Sequence, residues 1–89
     1  MPFEHLLVST QIRCETGPTV VGDANSDQKL MALLEAQKVH RFGNTFPEFL
    51  TEWPPRKVLD RLSDWSFSIC GMAGAGQTVI WTMRRERRD

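Results

Sequence analysis

The sequence has few cysteines, no excess of either charge and no long hydrophobic run, and each absence excludes a class of protein. Its 89 residues contain two cysteines, Cys14 and Cys70, which are too few for a disulfide scaffold or a CxxC metal half-site. The 11 basic residues equal the 11 acidic ones, so no clustered basic surface for nucleic acid is expected. No apolar stretch approaches the roughly 20 residues of a membrane span. The N-terminus also lacks the basic and long apolar segments of a secretory signal, so no such signal is expected. These absences together predict neither nucleic-acid binding nor membrane insertion.

The rest of the composition predicts one small globular domain in a reducing compartment. Three Trp, five Phe and regularly spaced aliphatic residues are too much apolar material for a disordered chain. Two cysteines without a disulfide framework favour the cytoplasm, with the nucleus as the alternative, and free cysteine is commonly buried as a small hydrophobe. A chain this short buries only about 60% of its unfolded surface. Oligomerisation is therefore expected to supplement its core.

Five segments have the residue pattern of strands. They are residues 5–13, 19–21, 46–53, 65–72 and 77–83. The third of these is expected to be irregular or at a sheet edge, because Pro47 cannot donate to a central ladder. In the first, a period of two places Leu6, Val8, Thr10 and Ile12 on one face and Leu7, Ser9, Gln11 and Arg13 on the other.

Two further segments have the apolar spacing and end signals of helices. The first helix is predicted from about residue 27 to 40, with Ser26 as its N-cap and Gly43-Asn44 as its stop. Its apolar stripe consists of Leu30, Met31, Leu33 and Leu34. The second helix begins at Pro54-Pro55, since proline is preorganised for a first helical turn. Its apolar side consists of Val58, Leu59, Leu62 and Trp65.

The order of these elements predicts an α+β fold, with a small antiparallel sheet of about six strands and two helices on one face. Apolar runs such as Leu6-Leu7-Val8 and Val79-Ile80-Trp81 imply that the second face is covered too. We expect a symmetric copy of the chain to cover it. Residues 1–83 form the predicted domain, and residues 84–89 a charged C-terminal tail that is expected to be solvated.

Patterns typical of phosphate or metal sites are weak. The glycine-rich residues 71–76 lack the GK[ST] of a P-loop and join two strands, so a wide turn is a commoner explanation than a phosphate site. A third interpretation fits better: the glycines let a ligand or partner approach the backbone, whose N–H groups can hold a carboxylate. His5, His40 and the two cysteines show no ligand spacing, so no metal is expected.

An enzymatic alternative comes from the start of the chain. Removal of Met1 would leave Pro2 as an N-terminal secondary amine. Small oligomeric tautomerases use such a proline as a base, often beside an arginine, for which Arg13 is the candidate here. Glu4-His5 and Gln77-Thr78 would have no role in that chemistry, so this is the weaker hypothesis.

Taken together, short motifs along the chain resemble the GTP cyclohydrolase I feedback regulatory protein family. Each motif is weak, but the set is specific because it runs in order from Met1-Pro2 to Trp81. The matching residues are Ser9-Thr10-Gln11-Ile12-Arg13, Gly17-Pro18-Thr19, Val21-Gly22-Asp23, Ser26-Asp27, Leu30-Met31, Gly43-Asn44, Phe46, Pro54-Pro55-Arg56, Val58-Leu59-Asp60, Leu62, Gly74, Gly76-Gln77-Thr78 and Trp81.

The resemblance implies a non-enzymatic regulator that forms a cyclic homopentamer. Two such rings would cap the decameric GTP cyclohydrolase I, which is inhibited in the complex with tetrahydrobiopterin and stimulated with L-phenylalanine. These effectors are the expected ligands, and no cofactor is expected. By the same resemblance, the phenylalanine site at the interface with the enzyme comprises Gln11, Ile12, Arg13, Gly74, Ala75, Gly76 and Gln77.

The chemistry of these residues agrees with an amino-acid ligand. Backbone N–H groups around Gly74 to Gln77 can hold a carboxylate, Ile12 can contact an apolar ring, and the Gln77 amide can both donate and accept. Without the resemblance, the same residues would be interpreted as ordinary strand ends and a turn. A stand-alone amino-acid sensor that acts on some other enzyme remains a further alternative.

Overall fold

The fold consists of a single sheet with two helices packed on one of its sides. The structure, a computed structural model, describes residues 2–11, 14–40 and 46–87. In these ranges the elements are β1 (Phe3–Gln11), β2 (Thr19–Val21), α1 (Gln28–Leu33), β3 (Gln37–Val39), β4 (Glu48–Thr51), α2 (Pro55–Asp64), β5 (Ser68–Ala75) and β6 (Thr78–Glu86).

The strands form one antiparallel sheet in the order β3-β4-β2-β1-β6-β5. Its longest pairing joins β1 to β6, from Phe3 opposite Glu86 to Gln11 opposite Thr78. The described part of the chain therefore leaves β3 and β5 as the two edge strands. The predicted α+β class, with a six-stranded antiparallel sheet and two helices, is confirmed.

The alternation of β1 separates a buried face from an open one. Leu6, Val8 and Thr10, which were predicted to share one face, are buried, whereas Leu7 between them is 54% exposed. The buried face joins the apolar residues of both helices in one core, so the helices share a face of the sheet. This core consists of Leu6, Val8, Val21, Leu30, Met31, Leu34, Phe49, Val58, Leu62, Phe67 and Met83.

The first helix is much shorter than predicted. It is capped by Asp27 and not by Ser26, whose hydroxyl instead accepts from the backbone of Asp23. It ends at Leu33 because Glu35 adopts a left-handed φ of 53°. Ala36 then donates to the Met31 carbonyl and Glu35 to that of Ala32, which is the Schellman pattern of a helix end. The predicted continuation to residue 40 is wrong, since Gln37–Val39 is a strand.

The second helix ends in the same way, which corrects the start of the following strand. Ser66 has a φ of 74°, and Phe67 donates to the carbonyl of Leu62. Phe67 and Leu62 are both buried, as the hydrophobic contact of such a helix end requires. Strand β5 therefore begins at Ser68 and not at Trp65, which is 41% exposed at the helix terminus.

Further differences concern strand ends and the cysteines. Strand β4 is not an edge strand, because it pairs with both β2 and β3, and Pro47 precedes it. The glycine-rich connector is mostly strand: β5 runs to Ala75, and only residues 76–77 form the turn. Strand β6 extends to Glu86, past the predicted end at Met83.

Both cysteines are free and exposed, contrary to the expected burial. Neither described helix is long and apolar enough to cross a membrane.

Candidate functional site

The predicted ligand-binding residues converge on one end of the sheet. Thr78, the first residue of β6, pairs with Gln11 on one side and with Ala75 on the other. Gln11 and Ala75 therefore lie two strand spacings apart, or about 9–10 Å. Gly74 pairs with the next residue, Val79. Residues about 65 positions apart in the chain are thus neighbours because β1 and β5 both end here.

The turn between β5 and β6 is accessible to a ligand. Gly76 has a φ of 59°, and a Cβ built on it would meet no atom within 4 Å. Gln77 beside it is exposed. Since β5 is an edge strand in the described chain, about half of its backbone groups point away from the sheet and can bind another molecule. The arrangement combines a long amide side chain with free backbone groups.

Five of the predicted site residues are therefore brought together and two are not described. Gln11, Gly74, Ala75, Gly76 and Gln77 share this end of the sheet. Ile12 and Arg13 lie outside the described residues. Binding of a ligand by this set stays a prediction.

An apolar groove that the sequence did not indicate lies on the helical side of the sheet, between α2 and strands β5 and β6. It has a volume of about 570 Å³ and is lined by Trp81 and Met83 of β6. Pro55 and Leu59 of α2 and the exposed Cys14 also line it. Leu59 was predicted as core but is only partly buried at the wall of this groove. No sequence signal distinguished these residues from ordinary core residues.

Several charged groups of α2 lie beside this groove or contact the segment before the helix. The ammonium of Lys57 lies 4.2 Å from the centre of the Trp53 ring. Arg56 and Asp60 form an ion pair at 3.6 Å, with both side chains largely exposed. An exposed pair of this kind contributes little to stability. No three His, Cys, Asp or Glu side chains among the described residues are grouped so as to hold a metal ion.

A second candidate surface is the face of the sheet that the helices leave uncovered, which we call the open face. Leu7 is 54% exposed and Ile80 is 36% exposed on it. The pairings place one row of residues straight across all six strands. This uncharged row consists of Gln37, Leu50, Val20, Ser9, Ile80 and Ala73.

The central row of the open face differs from a solvated sheet surface, although the rows toward its ends carry polar or charged residues such as Gln11, Thr78 and Arg84. An antiparallel sheet with one face in water normally carries polar and charged residues there. A central row without charge, with Leu7 beside it, is instead typical of a surface that another protein covers. Coverage of this face by a second copy stays a prediction.

The tautomerase hypothesis has no support in the arrangement of the chain. Pro2 precedes β1, whereas Gln11 ends it. Nine residues of extended strand, about 30 Å, separate the two ends. Arg13, the proposed partner, follows Gln11 and lies outside the described residues. The Pro2 carbonyl accepts a hydrogen bond from the backbone of Arg87 at 2.9 Å, at the far end of the sheet from the predicted ligand site.

Comparison with known proteins gives a consistent result along the chain. The family model for the GTP cyclohydrolase I feedback regulatory protein matches residues 4–86. A GTP cyclohydrolase 1 feedback regulatory protein from Xenopus tropicalis is 48% identical over 86 residues, which cover 97% of this chain and 100% of that protein. The protein of the same name from Danio rerio is 46% identical over 86 residues, covering 97% of this chain and 94% of the relative.

Proposed function

We propose that this chain, which belongs to the GTP cyclohydrolase I feedback regulatory protein family, binds GTP cyclohydrolase I and regulates it. The family consists of regulators and not of enzymes. The observation that carries the proposal is the 46–48% identity to relatives of that name over 97% of the chain. Its two free cysteines agree with a cytoplasmic or nuclear location, where thiols stay reduced.

The proposed regulation has two directions. Tetrahydrobiopterin favours an inhibited complex with the enzyme, and L-phenylalanine favours a stimulated one. A regulator that binds no substrate can act only by differential affinity for two states of the enzyme. Each effector must therefore bind more tightly to the complex in the state that it promotes, and complex formation must in turn tighten effector binding.

Phenylalanine is proposed to bind at the end of the sheet where Gln11 and the β5–β6 turn meet. Exposed backbone N–H groups near Gly76 would receive the carboxylate, and the Gln77 amide would bond one of the two charged groups of the zwitterion. The spacing of about 9–10 Å between β1 and β5 is wide enough for a single amino acid. A site at this exposed end is completed by the enzyme, which explains how the ligand strengthens the complex.

The proposed assembly is a cyclic homopentamer in which the open face of each subunit is covered by a different surface of the next subunit around the ring. Leu7 and Ile80 supply exposed apolar area there, and the central row supplies no charge that would oppose burial. Five identical contacts between the ring and a five-fold face of the enzyme would add their effects, so that weak individual contacts give tight binding.

The assembly is tested by light scattering of the purified chain. We expect the mass of five copies, and loss of that mass in Leu7→Asp, because the carboxylate would be buried without a partner. Ile69 is the matched control, since it is also 54% exposed but lies beside the groove on the helical side. Dissociation by Ile69→Asp, with Leu7→Asp still pentameric, would show that the copies pack through the other face.

The regulatory role is tested by mixing the chain with GTP cyclohydrolase I. We expect a complex whose mass exceeds that of the enzyme, with stronger association in the presence of L-phenylalanine. Phenylalanine binding by the chain without any association with the cyclohydrolase would favour the stand-alone sensor. An absence of both would refute the proposed function.

A further inference from the structure

Two buried threonines tie the β1–β2 connection to the rest of the fold. The hydroxyl of Thr10 donates to the carbonyl of Pro18 at 3.0 Å, which links the two ends of the connection. The hydroxyl of Thr19 donates to the carbonyl of Trp53 at 2.8 Å, which links the connection to the segment before α2. Thr10 is 2% exposed and Thr19 is fully buried. These bonds are additional to the ladder between the strands.

The two segments are also in direct contact. A Cβ on Gly17 would lie 2.6 Å from the carbonyl oxygen of Trp53. Gly17 has a φ of 74°, a conformation that favours glycine. The backbone of the connection therefore packs against that of Trp53 without space for a side chain.

Three buried threonines lie at the site end of the core face. Thr10 pairs with Thr19, and Thr19 pairs with Thr51, which forms a row of buried threonines across β1, β2 and β4. Further along the same face of β1 and β2, the buried residues are Leu6, Val8 and Val21. Valine has the shape of threonine and would fill the same space. The hydroxyls thus have a role that core packing does not require.

The position of this row relates it to the proposed ligand site. Gln11, the last residue of β1, directly follows Thr10. We propose that Thr10 and Thr19 are positioning residues for effector binding, because their hydroxyls hold the end of β1 that carries Gln11 against Pro18 and the Trp53 corner. This inference rests on the proposed function, since it concerns the same phenylalanine site.

The test compares effector response with fold stability in variants that lose only a hydroxyl. For Thr10→Val and Thr19→Val, we expect the L-phenylalanine concentration for half-maximal association with GTP cyclohydrolase I to rise about three- to tenfold, as for loss of one hydrogen bond. Thr10→Ser and Thr19→Ser should restore the response, because serine keeps the hydroxyl. Urea unfolding of each variant supplies the measure of stability.

Thr51→Val is the matched control. Thr51 is buried in the same row, but its hydroxyl accepts a hydrogen bond at 3.3 Å from the backbone N–H of Trp53, within its own segment. We expect the Thr51→Val variant to lose stability without a change in the phenylalanine response.

The inference is wrong if all three valine variants shift the response in proportion to their loss of stability. It is also wrong if none of them shifts the response while the wild type responds. A wild-type chain that binds the enzyme without responding to phenylalanine would overturn the effector site and this inference together. If a valine variant does not fold, the serine variant at that position must retain the wild-type response.

Discussion

Truncation of Leu34 tests the assignment of the core around the short first helix. Leu34 is fully buried directly after α1, whereas its neighbour Leu33, the last residue of that helix, is 38% exposed. Both belong to the apolar stripe that the sequence predicts. A comparison of Leu34→Ala with Leu33→Ala therefore measures the effect of burial at nearly constant local sequence.

The expected cost of Leu34→Ala can be derived from this burial. The change removes three carbon atoms from the core, which at roughly 0.8 kcal/mol for each amounts to about 2.4 kcal/mol. A residual cavity raises the total to about 3–4 kcal/mol. The backbone N–H of Leu34 keeps its bonds to the carbonyls of Leu30 and Met31, so the helix end itself is preserved. For Leu33→Ala we expect about 1 kcal/mol or less, since part of that side chain is already in water.

The assay is urea unfolding followed by circular dichroism at one protein concentration, repeated at several concentrations because assembly stabilises the folded chain. In thermal unfolding, a loss of about 3–4 kcal/mol corresponds to a midpoint lower by roughly 12–30 °C for a domain of this size. Equal costs for Leu34→Ala and Leu33→Ala would refute the packing described here. A cost of Leu34→Ala below about 1 kcal/mol would do the same.

Two further changes test the site and the corner beside it. Gln77→Ala should weaken the effect of phenylalanine on association with the cyclohydrolase by about 1–3 kcal/mol. Gln28→Ala, at an exposed position on α1, should leave that effect unchanged. An equal effect in both variants would remove Gln77 from the site. Gly17→Ala should lower the free energy of unfolding by more than about 2 kcal/mol, from its positive φ and its contact with Trp53. Gly76→Ala, where a Cβ meets open space, should cost only about 1 kcal/mol, and calorimetry that ranked the two glycine variants in the reverse order would contradict this account.

The helix ends show why element boundaries could not be predicted. Sequence signals for the end of a helix are mainly glycine and proline, and these led to Gly43-Asn44 as the stop of α1. The actual stop uses Glu35 in a left-handed conformation, at a position where glycine is usual. Ser66 has the same role after α2. Such conformations are tolerated because a Schellman hydrogen-bond pair and a hydrophobic contact compensate for the strain, and neither is visible in the sequence.

By contrast, the alternation of side chains in β1 and the helical spacing of apolar residues in α2 could be predicted from the sequence. Leu6, Val8 and Thr10 are buried on one face of β1, and Val58 and Leu62 on one side of α2, as predicted. These patterns arise from local geometry, because side chains repeat every two residues in a strand and every 3.6 in a helix. A short segment such as Gln37–Val39 has no such pattern, and it becomes a strand only because β4 pairs with it.

The sequence by itself therefore determined the class of fold, the residues that share a buried face in β1 and α2, and membership of a regulatory family, since all three depend on residue order along the chain. Only the tertiary structure decided that Gln11 lies beside the β5–β6 turn and that α2 lines a groove. It also decided that the Thr19 hydroxyl donates a hydrogen bond to the Trp53 carbonyl. These features join residues far apart in sequence. Long-range strand pairing sets them, and it depends on the packing of the whole sheet and not on any one segment.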